Sequence, residues 1–329
     1  MQKPIKFVIV GSGNISRTYF QAIRGIEGAD IIGIVTRDID KHLDVGPELY
    51  IAPSLHDIPV DYDAVILATP NGLHHQGALD AAPLGKHVLT EKPLDITIEN
   101  MDRMIQVCTE NKVKLGVAYQ HRMSPDNKTI KSLINSGGLG RIFSADFTVR
   151  CWRDQAYYDS GDWRGGWQID GGGPFIQQAC HQVDLYTWFF GLPETVQALT
   201  DRFMHAIEVE DHGAALFRHE NGMIGTFIAS TVAYPGFEPI LTIHTEKGSV
   251  IMENGVITAW HIQGIDNPSQ ELTAPLHSGA ASAAVTDTSG HEAIIIDFID
   301  AIREDRQPAI SADSARLATE LILRIYGKL

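Results

Sequence analysis

The pattern of apolar and polar positions divides the chain into two textures. From residue 5 it runs through short, almost unbroken apolar segments, IKFVIV, ADIIGIVT, DAVILAT, KHVLTEKP and VKLGVAY. Between them lie stretches of helical spacing, one ending about Arg24, one starting about Leu73 and one starting about Ile98. Apolar strands separated by helices predict a parallel sheet covered on both faces, a doubly wound α/β domain that ends near Tyr119. After Gly140 the period becomes two: Phe143, Ala145, Phe147, Val149 and Cys151 alternate with polar residues, and GAALFRHE, MIGTFIAST, PILTIHTE and SVIMENG follow as strands. Asn221-Gly222 and Asn254-Gly255 are strong hairpin signals, because both central residues of a type I′ turn need positive φ. The second half is therefore expected to be α+β, with a large, mostly antiparallel sheet open on one face and closing helices around 292–303 and 311–329. The expected domains are 1–121 and 122–329, the last helices being free to pack back on the first. The stretch HSGAASAAVTDTSG (277–290) reads as a mobile loop.

Composition narrows the class. A chain of 329 residues, 44% hydrophobic and 20% charged, has the make-up of a soluble globular protein. Its 26 basic and 41 acidic side chains give a formal charge of -15, which argues against nucleic acid or an anionic membrane as partner. An anionic ligand must be caught by local donors. Three cysteines, Cys108, Cys151 and Cys180, are an odd number without close pairing, so a reducing cytoplasm is expected and no disulfide framework or zinc knuckle. The opening MQKPIKFVIVGSGN lacks the make-up of a signal peptide, and no apolar stretch approaches the roughly 20 residues that span a bilayer.

Chemistry is concentrated at strand ends. IKFVIVGSGNIS has the form of a dinucleotide fingerprint: a strand, a tight turn at Gly11, close backbone approach at Gly13, then a helix whose amino end can meet a pyrophosphate. Gly11, Ser12, Gly13, Asn14 and Ile15 are the expected contacts, with Ser16 in place of the third glycine. The second strand ends IVTRD, with Thr36 where a ribose-binding acid is expected and Arg37 next, a pair that favours the extra phosphate of NADP over NAD. The other reading makes Asp38 the ribose acid, and Lys41 could alter phosphate binding. After the third strand, ATPNGLHH places Thr69, Pro70, Asn71 and His74 over the nicotinamide half, although Asn71 could equally cap a helix. HVLTEKP ends a buried strand on Glu91, Lys92 and Pro93, charges that packing explains poorly. Trp152, Trp163 and Trp167 fall close to Arg153, Tyr157, Tyr158, Asp159, Asp162, Arg164 and Asp170. That cluster looks ill suited to a core and well suited to a polyhydroxylated ligand, or else to an arm on another subunit.

With GSGNIS, ATPNGLHH and GKHVLTEKP in order, then YQHRMSP, YYDSGDWRGGWQIDGGG, HQVDLYTWFFG and HEAIIIDFIDAI, the chain resembles the Gfo/Idh/MocA family over nearly its whole length. The resemblance implies an NAD(P)-dependent oxidoreductase that moves hydride to or from a hydroxyl-bearing carbon of a sugar, inositol or sugar derivative. It implies that Lys92 lies beside the nicotinamide and the reacting carbon, with Gln120 and the Trp163-Arg164 pair at the cofactor. It also carries over His181 as general base, and Arg122 and His291 as substrate contacts. Gln177, His181, Asp184 and Trp188 share a stripe if the segment after Gly171-Gly172-Gly173 is helical. Related dehydrogenases often have an aspartate where this chain has Gln177, so His181 is expected to be oriented by Gln177 or by Asp184. No metal site is expected. Two rivals stand beside this reading: an NAD-dependent glycoside hydrolase acting through transient oxidation and elimination, and a cofactor-binding regulator without turnover. An exposed sheet face would make the protein a homodimer or homotetramer.

Overall fold

The computed structural model describes residues 3–37, 49–269 and 287–329. Asp38, Lys41 and most of the 277–290 loop lie outside the described residues. The chain forms two compact units, Met1–Gln120 with Asp287–Arg316, and His121–Thr286 with Leu317–Leu329.

In the first unit six strands, β1 (Ile5–Val10), β2 (Ala29–Val35), β3 (Tyr50–Ala52), β4 (Ala64–Leu67), β5 (His87–Thr90) and β6 (Leu115–Val117), pair in the order β3-β2-β1-β4-β5-β6. Every neighbouring pair is parallel. Phe7, Val8, Ile9, Val65, Ile66, Val88 and Leu89 are buried, as expected of strands covered on both faces. Helices α1 (Asn14–Arg24), α2 (His74–Ala81) and α3 (Ile98–Glu110) make the crossovers. Strand order reverses between β1 and β4, so the crevice at their carboxyl ends is the ligand position of this topology.

The second unit contains α4 (Pro125–Asn135), β7 (Ile142–Arg150), the short α5 (Gln155–Asp159), α6 (Cys180–Phe190), and strands β8 (Thr195–Asp201), β9 (His212–Arg218), β10 (Ile224–Ser230), β11 (Ile240–Thr245), β12 (Gly248–Glu253) and β13 (Val256–Ile262). The sheet order is β13-β12-β11-β7-β10-β9-β8, and only β7 and β10 run parallel. Ala145, Phe147, Val149, Phe217 and Phe227 are buried, and α6 packs on β7. The other face is open, with Leu216, Ile224 and Ile240 exposed. Asn254 and Gly255, at φ 49° and 76°, make the tight turn between β12 and β13 that the sequence foretold. Two long helices close the chain, α7 (Ser289–Arg303), which packs on α1, and α8 (Ala312–Ile325). Among the described residues no helix is long and apolar enough to cross a membrane.

Candidate active site

The glycine turn after β1 is dictated by sterics. Gly11 has φ 115°, and a Cβ there would stand 2.5 Å from the Ala68 carbonyl oxygen, so only glycine fits. Buried Ser16 donates its hydroxyl to the Gly11 carbonyl at 2.9 Å, which fastens helix to turn in place of the third glycine. Gly13 is the N-cap of α1 and meets nothing within 4 Å of where a Cβ would lie. No side chain caps the helix and no acid occupies its first turn, the arrangement that suits an anion at a helix N-terminus. The Thr69 hydroxyl, at the end of β4, is buried without a hydrogen-bond partner among the described residues. These features fit a dinucleotide, with the pyrophosphate at the N-terminus of α1. Thr36 is buried and donates to the Ser12 hydroxyl at 2.9 Å, which makes it part of the turn, while Arg37 is exposed.

His74 departs from expectation. Its ring is fully buried, with Nδ1 2.8 Å from the Pro93 carbonyl and Nε2 3.0 Å from that of Thr69. It is a strut tying the β4 loop to the β5 turn, where a cofactor contact was expected; burial lowers its pKa, against the pull of the two carbonyls. Asn71 begins a single 3₁₀ turn, Asn71–Leu73, capped by Pro70, so it does not cap α2.

The turn after β5 is held from behind. Glu91, 7% exposed, accepts from the Tyr19 hydroxyl at 2.8 Å and from the Lys92 N–H at 3.1 Å. His291 of α7 brings Nε2 to 3.5 Å from the same carboxylate and meets the Tyr19 ring edge-on at 5.3 Å. His291, expected at the substrate, is instead buried behind the turn, because α7 packs on α1. The Lys92–Pro93 peptide is cis. Just beyond, the fully buried Asp95 accepts from Ile96 N–H at 2.7 Å and from the Asn100 side chain at 3.1 Å, and faces His75 Nδ1 at 3.0 Å. Sequence reasoning missed Tyr19 and Asp95; an acid just past Glu-Lys-Pro was the available signal for the latter.

In the second unit α6 begins only at Cys180, so Gln177 sits in the preceding turns and not on a helical stripe with His181. The Gln177 amide donates to the carboxylate of buried Asp170, which also takes the Gly165 N–H at 2.8 Å. His181 stacks on His121, ring centroids 4.3 Å apart and planes within 17°. Asp184 takes both arms of the Arg122 fork, Nε at 2.7 Å and Nη2 at 2.5 Å, with both groups buried. Burial pushes its carboxyl up to about 6 while Arg122 pulls it down. Asp184 is thus bonded to Arg122. Arg122, expected at the substrate, reaches over the Trp188 ring (5.6 Å) and braces α6 from within.

The aromatic segment also corrects an expectation. Tyr158 lies in a small core with Ile207 and Val209, Tyr157 and Trp167 packing against it, and its hydroxyl meets that of Thr231 at 2.9 Å. Arg164 stands 4.4 Å from both the Tyr157 and Trp163 rings and donates to the Tyr157 hydroxyl at 2.7 Å. Arg153 is buried, 5.4 Å from the Tyr157 ring, and donates to the Trp152 carbonyl at 2.6 Å.

Known proteins place this arrangement. Residues 5–119 match the oxidoreductase family with an NAD-binding Rossmann fold, and residues 127–251 match the GFO/IDH/MocA C-terminal domain. The chain belongs to the Gfo/Idh/MocA family. Among solved structures similar to this family member is the WlbA dehydrogenase of Bordetella pertussis in complex with NADH and UDP-GlcNAcA, 31% identical, covering 99% of this chain and 96% of that one at a TM-score of 0.85. Oxidoreductase P35 of Formosa agariphila is 26% identical over 290 residues, 83% of this chain and 89% of its own. Inositol 2-dehydrogenase of Rhizobium meliloti is 22% identical over 259 residues, 76% of each chain. As a Gfo/Idh/MocA protein, the chain is an NAD(P)-dependent oxidoreductase acting on CH-OH groups.

Proposed function

We propose that this enzyme moves hydride between a nicotinamide dinucleotide, NADP in preference to NAD, and a secondary alcohol or hemiacetal carbon of a sugar, inositol or sugar derivative. The observation that carries the reading is Lys92 at the carboxyl end of β5, its backbone fixed by a buried carboxylate, in the fold position where such a topology binds ligand. When bound, the nicotinamide supplies or accepts the hydride. The chain's own groups do the rest: Gly11 to Ile15 receive the pyrophosphate at the start of α1, and the Thr69 hydroxyl offers an unused polar atom. Lys92 stabilises negative charge on the reacting oxygen, and His181, its ring plane fixed by His121, holds or takes the hydroxyl proton. Arg164, its guanidinium 4.4 Å from both the Tyr157 and Trp163 rings, is placed to present donors to a polar ligand.

Exposed Arg37 supports NADP, because a guanidinium fork at the end of β2 suits a 2′-phosphate. Arg37→Asp should lower the ratio of NADP to NAD affinity by about tenfold or more, and an unchanged ratio would remove this part of the reading. The open face of the second sheet, with Leu216, Ile224 and Ile240 exposed, supports pairing into a homodimer or homotetramer. Three buried free thiols, two of them pushed by burial up to about 12 (Cys108) and about 11 (Cys151), are in keeping with a reducing cytoplasm. The test of function is the near-ultraviolet absorbance of reduced nicotinamide with NAD or NADP and a panel of aldoses, inositols, sugar acids and nucleotide sugars. Net reduction with one class identifies the substrate. Cleavage of glycosides without net reduction would favour the redox-assisted hydrolase instead.

A further inference from the structure

Glu91 is an expensive residue to bury. It is 7% exposed, and burial alone would favour its neutral form, yet its carboxyl is held below the usual range by His291, Lys92 and the Tyr19 hydroxyl. Its three neighbours come from three separate parts of the chain. Tyr19, fully buried, rises from the middle of α1, the helix whose first turn has no side-chain cap and no acid. Lys92 offers its own N–H at 3.1 Å to one carboxylate oxygen, while Tyr19 at 2.8 Å and His291 at 3.5 Å share the other. His291 arrives on α7, about two hundred residues later, its approach fixed where Gly290 lies against the Gln120 side chain.

Each feature has a reason that packing alone does not give. A leucine at position 91 would fill the same space without a charge to satisfy. At 3.5 Å the His291 ring nitrogen is a long but directed donor to Glu91, first among the groups that hold its carboxyl low. The other ionisable groups around the turn are Lys92 itself, His74 and Asp95; His74 is engaged by two carbonyls, and Asp95 by Ile96, Asn100 and His75. Glu91 takes the Lys92 backbone N–H directly, and Tyr19 and His291 fix where that carboxylate stands.

We propose that Tyr19, Glu91 and His291 form a positioning triad that sets the placement of Lys92, so that His291 is a remote determinant of turnover and not a substrate contact. This rests on the reading of Lys92 as the group at the reacting centre. The triad couples the glycine-turn helix to the lysine: Tyr19 belongs to α1, so the seat of the pyrophosphate and the seat of the amine share one buried hydrogen bond. It touches neither cofactor nor substrate, and its effect falls on the geometry of the chemical step.

The experiment compares His291→Leu, His291→Gln and Tyr19→Phe with Lys92→Ala, reading kcat, the substrate KM, cofactor affinity by fluorescence titration and thermal midpoint. His291→Leu and Tyr19→Phe should lower kcat by about 10- to 100-fold, the scale of a small misplacement of a reacting group, with cofactor affinity and substrate KM little changed. His291→Gln, which restores a donor facing Glu91, should recover most of that loss. If kcat stays at the parent value in Tyr19→Phe and His291→Leu while Lys92→Ala is inactive, the triad does not position the lysine and the inference fails alone. If Lys92→Ala itself keeps full turnover, the reading on which the inference rests fails with it. Should His291→Leu not fold, Tyr19→Phe, which removes one hydroxyl and leaves the ring in place, carries the test by itself. A fall in thermal midpoint with kcat unchanged would mark the three residues as structural only.

Discussion

Two buried carboxylates, one in each unit, have nearly the same hydrogen-bond partners and opposite character. Glu91 accepts from a tyrosine hydroxyl at 2.8 Å and a backbone N–H at 3.1 Å. Glu210 accepts from the Tyr326 hydroxyl at 2.7 Å and the Gly173 N–H at 3.0 Å. Burial acts on both in the same direction, yet Glu91 is held low and Glu210 is pushed up to about 7. The difference lies in the partners: the His291 ring and the Lys92 ammonium act on Glu91 beside the Tyr19 hydroxyl, whereas Glu210 is held down chiefly by the Tyr326 hydroxyl and backbone N–H groups, with the Lys328 ammonium acting on it more weakly. Glu210 latches the Gly172-Gly173 turn to Tyr326, and both glycines are needed there because a Cβ on either would collide with Glu210 or Tyr326. A turn that must hold an amine in place keeps its carboxylate ionised.

The comparison breaks first at Lys92. Lys92→Ala should lower kcat by about 10²- to 10⁴-fold, while Glu210→Gln should leave steady-state turnover close to the parent. A large loss in Glu210→Gln would mean that the second carboxylate has a part in the chemistry. Asp184 is the intermediate case, fully buried and raised to about 6 despite its bidentate arginine. Arg122→Met should strand that carboxylate and cost about 3–5 kcal/mol in denaturant unfolding.

The pH dependence of stability sharpens the contrast. Glu210 has a folded pKa of about 7 against an ordinary 4.5, so below 4.5 both states are protonated and the group is neutral to stability. As pH rises from there to about 7 the unfolded chain ionises first, and the folded state loses stability on the order of 3 kcal/mol. Glu91 works in the other direction: its stabilisation is present above 4.5 and is lost as pH falls through its depressed folded value. Urea midpoints between pH about 5 and about 8 should therefore decline less in Glu210→Gln than in the parent. The smallest effect is expected from Tyr326→Phe, about 1 kcal/mol for one hydrogen bond, seen as a modest shift in midpoint with turnover intact.

Much of the first unit was legible because its signals are local. The strands are continuous apolar runs, and Gly11 is demanded by a backbone angle and a carbonyl next door. Glu91 and Lys92 betray themselves as charges at the end of a buried strand. The partners of those residues were hidden, since Tyr19 and His291 meet Glu91 through long-range packing of α1 and α7, which no spacing encodes. The second unit misled for the same reason. A helical stripe through Gln177, His181 and Asp184 assumed a helix that starts three residues too early, since α6 begins at Cys180. Tyr158 looked like a ligand-facing ring because Ile207 and Val209, which enclose it, lie far along the chain. Arg122 and Asp184 were each assigned to a site; the structure spends them on each other.

The most direct test of Lys92 as the group at the reacting centre is a single-turnover measurement with cofactor prebound, comparing the parent with Lys92→Ala and recording cofactor affinity beside the hydride-transfer rate. The predicted result is a rate lower by orders of magnitude with cofactor affinity nearly unchanged. An unchanged rate, or a loss of cofactor binding large enough to explain the whole effect, would contradict it.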